Sequence, residues 1–99
     1  MTITIGEVWT FKLTSGEELI TKVLKTVDDE LVIHHPVSVA PGPQGVGLVP
    51  SMFTADPKTE TRLKINSIAI SALTDASVKA KYIEATTGLA VPTKKLILG

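Results

Sequence analysis

Between Glu7 and Ala40, apolar and polar residues alternate in three runs separated by two turn-forming clusters, and this pattern constrains the fold of the chain more than any other. A period of two marks a strand with one buried face, because successive side chains point to opposite sides. In the first run Trp9, Phe11 and Leu13 point one way, and Val8, Thr10, Lys12 and Thr14 the other. Ser15-Gly16 supplies a tight turn, since glycine tolerates the positive φ that a hairpin needs. The second run, Glu18 to Val27, carries Leu19, Val23 and Val27 on one phase and Ile20 and Leu24 on the other, which predicts a long, bent strand covered on both sides. Asp28-Asp29-Glu30 makes the next turn. Strict alternation through Leu31, Ile33, His35, Val37 and Val39 then predicts the third strand of an antiparallel meander.

With 99 residues the chain has room for one domain and one core. A composition of 43% hydrophobic and 20% charged residues belongs to folded globular proteins rather than disordered ones. Ten Lys and Arg balance ten Asp and Glu, so the bulk positive charge of a nucleic-acid binder is missing and any such binding must use a local patch. The lack of cysteine excludes disulfides and thiolate metal sites and fits an intracellular protein. Met1 to Gly6 lacks the basic start and apolar run of a secretory signal, and no stretch approaches the length of a membrane span. A soluble, cytoplasmic protein with no membrane partner is the expectation.

Further along, Pro36 interrupts the third strand and predicts a bend, a bulge or a free edge. His34 and His35 flank it. Adjacent strand residues face opposite sides, so the two histidines are not expected to share a metal ion, and no metal or other cofactor is expected. Pro41-Gly42-Pro43-Gln44-Gly45 reads as an exposed hairpin tip, without the residues of a phosphate-binding loop. Val46 to Thr54, interrupted by Pro50, suits an edge or bent strand, with Met52 and Phe53 either in the core or against a neighbouring subunit. After a turn at Ala55-Asp56-Pro57-Lys58, strand character returns from Thr61 to Leu73. There the apolar phase moves from Leu63 and Ile65 to Ile68, Ile70 and Ala72, which requires a bulge or turn at Asn66-Ser67. Arg62 and Lys64 fall on the face opposite Leu63 and Ile65 and form the best small basic patch in the sequence. Either Val46 to Thr54 or Thr61 to Ile65 can serve as the fourth strand, and both can be used. Thr74 or Asp75 caps a helix through Val78, Tyr82 and Ala85 that ends at Gly88, with Lys79, Lys81 and Glu84 on its solvated face. The tail from Val91-Pro92 to Leu96-Ile97-Leu98 either frays or adds a strand to an open edge.

A mostly β domain results: a small, strongly bent, five-stranded antiparallel sheet or open barrel over about residues 7–73, a C-terminal helix over about 75–88, and a tail over 89–99. A meander opened by Leu13-x-x-Gly16, with Val23, Asp28 and Leu31 following, resembles the first motif of the Sm-like family, which includes the bacterial Hfq proteins. Ile65-Asn66-Ser67-Ile68-Ala69-Ile70 is similar in spacing to the second motif, with Asn66 and Ser67 in place of its Arg and Gly. The Asn position of the first motif falls on Val32, and Glu30 replaces a stacking aromatic. Strand order, the Pro- and Gly-rich loop and the trailing helix look similar to a divergent Sm-like group from marine cyanophages, although typical Sm proteins carry their helix first.

The resemblance implies an SH3-like barrel that assembles through its strand edges into a cyclic homo-oligomer of about five to seven subunits. It further implies single-stranded RNA or DNA at the pore where the two motif turns converge. Carried over by position, Asp28, Lys64, Asn66 and Ser67 are expected near that pore, with His34 close by on the third strand; for a nucleic-acid-binding ring, Arg62 and Lys64 are then expected to meet phosphates and His34 or Asn66 to meet bases. The alternative is a structural or assembly module, of phage origin, that uses the same ring without nucleic acid. Catalysis is not expected, since Ser-His-acid spacing and a metal cluster are both missing and Asp28, Asp29 and Glu30 are better explained as a turn.

Overall fold

Each hairpin turn forms where a residue accepts a left-handed backbone. In the computed structural model, which describes residues 2–87, β1 (Val8–Leu13) ends in a turn with Gly16 at φ 96°. The amide of Gly16 donates to Leu13 O at 2.9 Å, and that of Leu13 to Glu17 O at 2.8 Å. The second turn joins β2 (Glu18–Val27) to β3 (Glu30–Gly42) through Asp28, whose φ of 54° is one that Asp tolerates better than most side chains. β3 and β4 (Gly45–Pro50) then form a hairpin whose tip is only Pro43-Gln44, so the proline- and glycine-rich segment contributes mostly paired strand.

β5 (Thr61–Lys64) and β6 (Ile68–Leu73) are separated by a 3-10 turn, Ile65–Ser67, at the position where the apolar phase changes. The count is therefore six strands rather than five, because the kink divides the last strand in two. The sheet is antiparallel throughout and runs β4-β3-β2-β1-β6, with β5 also paired to β3. Both candidates for the fourth strand are used. β5 takes the first half of the outer edge of β3, from Glu30 to Ile33, and β4 takes the second half, from Val37 to Gly42. The sheet bends strongly without closing, and its path ends in β4 and β6.

Bending gives the sheet an inner and an outer face, and each carries a core. Trp9, Phe11, Leu19, Val23, Leu31 and Ile33 fill the inside, with Leu13, Leu63, Ile65 and Ile68 at its margin. The Trp9 and Phe11 rings stack at 6.2 Å, and the Trp9 indole donates to Thr4 O at 3.1 Å. Val8, Ile20 and Val37 form the outer cluster beneath the helix α1 (Ala76–Thr86), which contributes Tyr82 and Val78. The two apolar phases of β2 correspond to these two cores.

Strict alternation along β3 does not hold. Leu31 and Ile33 enter the inner core, whereas Val37 and Val39 belong to the outer one. Between the pairs Lys22↔His34 and Ile20↔Val37, β3 contributes one residue more than β2, and this bulge exchanges the faces of the strand. His35 adopts φ 51° there, just ahead of Pro36. A second shift between Val23 and Lys25 leaves Leu24 exposed, so the end of β2 is not covered on both sides.

The helix starts at Asp75, whose carboxylate accepts from the Ser77 and Val78 amides at 3.1 and 3.3 Å. It is anchored by Tyr82, only 3% exposed. The Tyr82 hydroxyl accepts from the Lys22 amide at 3.1 Å and donates to His34 O at 2.7 Å, so it stands in for ladder hydrogen bonds displaced by the bulge. Buried Thr21 donates to the same carbonyl at 2.9 Å. The expected helix stop at Gly88 and the tail over 89–99 lie outside the described residues. Among the described residues, no helix is long and apolar enough to cross a membrane.

Candidate nucleic-acid interface

The β2–β3 turn and the 3-10 turn meet. Pairing of Glu30 with Lys64 aligns β3 and β5, and the Ile65 amide extends the contact by donating to Asp29 O at 2.9 Å. Ser67 fixes the 3-10 turn by donating from Oγ to Lys64 O at 2.6 Å, while its own carbonyl accepts from the Thr14 amide at 2.7 Å. Asp28, Arg62, Lys64, Asn66 and Ser67 are thereby gathered on two adjoining turns and the short strand that leads into them. Asp28, Arg62, Lys64 and Asn66 are exposed.

The cations in this cluster are not free. Arg62 reaches Glu60 at 2.8 Å and Glu30 at 3.3 Å, Lys64 reaches Glu30 at 3.2 Å, and Lys25 reaches Glu60 at 3.4 Å. Lys64, and after it Arg62, holds the Glu30 carboxyl below its ordinary range, and Arg62 with Lys25 does the same to Glu60. In return, Glu60 and Glu30 raise Arg62, and Glu30 and Asp29 raise Lys64. All four groups stay fully charged near neutral pH. With Asp28 and Asp29 on the adjoining turn, the surface expected to be basic is a balanced network that leans acidic.

His34 stands apart from these residues. It lies four residues along β3 from Glu30, roughly 13 Å at the rise of an extended strand. The expectation that His34 and His35 face opposite sides fails, because the bulge and the left-handed His35 turn both rings to one side, with centroids 3.8 Å apart. Burial, and then the neighbouring His34, pushes the His35 imidazole below its ordinary value. Among the described residues, no three His, Cys, Asp or Glu side chains are grouped as a metal site.

Both rings open onto a groove of about 950 Å³. It occupies the gap between β4 and β5 on the outer edge of β3, where the chain from 51 to 60 spans from one strand to the other, and the end of α1 forms part of its wall. Pro36, Pro50, Met52 and Phe53 supply apolar surface. Phe53 is 64% exposed and Met52 49%. Asp56 rigidifies the spanning segment by accepting from the Lys58 amide at 2.9 Å, and the Ser51 amide donates to Pro36 O at 3.1 Å. Reading from charge missed this groove. Its one sequence signal was an apolar Met52-Phe53 pair beyond a proline, outside any alternating run. No known protein-family model matches this chain, and no curated protein matches it.

Proposed function

We propose that this protein is a ring-forming, single-stranded nucleic-acid-binding module of Sm-like type, acting on RNA or DNA in a binding rather than a catalytic role. The observation that carries the reading is the junction of the β2–β3 turn with the 3-10 turn, held by the Ile65 amide on Asp29 O, in a sheet whose path ends in two strands, β4 and β6. Unpaired strand edges invite pairing with another chain, and a closed ring of like subunits satisfies both ends without unlimited growth. The ring brings copies of the turn pair around one axis, where modest contacts repeat along a strand. Exposed apolar residues on or beside both end strands, Val46 and Val49 on β4 and Ile70 and Leu73 on β6, support edge-to-edge contact.

Native mass measured with and without nuclease tests this reading. A defined oligomer larger than a dimer that carries nucleic acid is the expected result, and a clean monomer overturns it. In the oligomer, Arg62→Ala with Lys64→Ala should weaken strand binding and flatten its salt dependence. A second reading, a structural or assembly module that forms the same ring without nucleic acid, is favoured by the ion pairing of Arg62 and Lys64 and by the zero net charge. An oligomer of the same mass that never retains nucleic acid selects it.

A further inference from the structure

We propose that the groove between β4 and β5 is a nucleobase site, in which exposed Phe53 supplies a stacking face and the His34–His35 pair supplies edge hydrogen bonds. The inference rests on the nucleic-acid reading above but moves base recognition away from the paired turns. Ligand sites of this size combine predominantly apolar walls with a few convergent polar groups. Here Met52, Pro50 and Pro36 form the apolar walls, and the imidazoles and the hydroxyls of Thr59 and Thr61 are the polar groups. An aromatic ring left 64% exposed on a segment tied down at Ser51 and Asp56 offers a flat face already ordered before a ligand arrives. A neutral imidazole presents one donor and one acceptor, the complement of a base edge. Burial and the adjacent ring keep His35 neutral near pH 7, which preserves that acceptor.

Charge in the groove suits a base joined to a phosphate. Lys25 and Glu60 pair with each other, and Asp56 accepts from the Lys58 amide. The Lys58 ammonium makes no ion pair among the described residues. It is thus the groove's available cation, although the Asp56 carboxylate shares the same wall. The chemistry is common to a free nucleotide and to a base within a strand.

The test titrates full-length protein with three probes: a single-stranded oligonucleotide, an abasic strand with the same number of phosphates, and a nucleoside monophosphate. Binding is followed by fluorescence anisotropy and by the ring resonances of Phe53, His34 and His35. The oligonucleotide is expected to move those resonances and to bind roughly tenfold or more tightly than the abasic strand, the scale of a lost stacking contact. Phe53→Ala should remove most of that difference and Phe53→Trp should restore it, with the unfolding midpoint of both variants unchanged. Equal binding of the two strands, with unmoved ring resonances, overturns the groove and leaves the nucleic-acid reading standing. Ring shifts from the monophosphate with no strand binding keep the groove as a nucleotide site and overturn that reading. No response to any probe, or a response to a proline-rich peptide alone, overturns the groove.

Discussion

The two halves of β3 are built from the same kind of sequence and do different work. From Glu30 to Ile33 the strand sends Leu31 and Ile33 into the inner core, pairs with β5 and presents a rim in which every cation has a carboxylate partner. From Val37 to Gly42 it serves the outer cluster and pairs with β4, and the groove with its uncovered Phe53 opens where the two halves meet. Three residues, His34 to Pro36, divide them. A paired charge must lose its partner before it gains a phosphate, whereas an exposed, ordered ring only sheds water. Binding capacity therefore follows what the fold leaves unspent rather than what the composition supplies.

The two faces of the sheet should differ most in their cores. Leu31 is fully buried in the inner cluster, so Leu31→Ala should cost about 2–5 kcal/mol in urea unfolding. Val39 is half-buried at the margin of the outer cluster, and Val39→Ala should cost only about 1 kcal/mol. Equal losses would make the helix-covered face as much a core as the interior. Next in size is the divider itself. Tyr82→Phe deletes a hydroxyl that accepts from the Lys22 amide and donates to the His34 carbonyl; the carbonyl keeps the Thr21 hydroxyl, but leaving the Lys22 amide unpaired costs about 1–3 kcal/mol. Faster hydrogen exchange at the Lys22 amide should accompany the loss. Unchanged exchange would mean that the bulge holds without the helix.

Acid separates the halves by pH window. The folded-state value of His35 lies below its ordinary 6.5, so the unfolded chain takes up the proton first, and stability falls as pH drops through about 6.5. Glu30 and Glu60 are likewise lowered from their ordinary 4.5, so their contribution is present above that value and is lost as pH falls below it. A clear slope in midpoint against pH is expected below about 6.5 and only a shallow one below 4.5, because the carboxylates are exposed and their ion pairs gain little over hydration. His35→Gln should flatten only the upper one, and loss of both slopes in that variant would tie the halves into one unit.

The meander was legible because every signal in it is local. Alternation placed Trp9, Phe11 and Leu13 together, Gly16 and Asp28 marked turns, the phase change located the 3-10 turn, and Asp75 marked the helix start. The exchange of faces along β3 was not legible from Leu31 to Val39, because the residue that breaks the register sits in an unbroken alternating series. Pro36 announced a disturbance but not which side each histidine takes. The site was read less well for a related reason. Arg62 and Lys64 were placed correctly on the outward face of β5, yet the carboxylates that occupy them arrive from β3 and from Glu60, a juxtaposition that only strand pairing creates. The groove likewise needs β4, β5 and α1 brought to one edge of β3 before it exists.

The smallest effect on stability should come from the most charged part of the molecule. Glu30→Gln with Glu60→Gln removes both carboxylates of the network, yet exposed ion pairs gain little over hydration and are screened by salt, so the unfolding midpoint at neutral pH should barely move. Strand binding should respond much more. Freed from their partners, Arg62 and Lys64 can meet phosphates, and each added contact steepens the dependence of log affinity on log salt by about one. A steeper slope at unchanged stability identifies the carboxylates as a brake on a latent basic surface. An unchanged slope removes the turns from the binding path and leaves the groove to account for any affinity that remains.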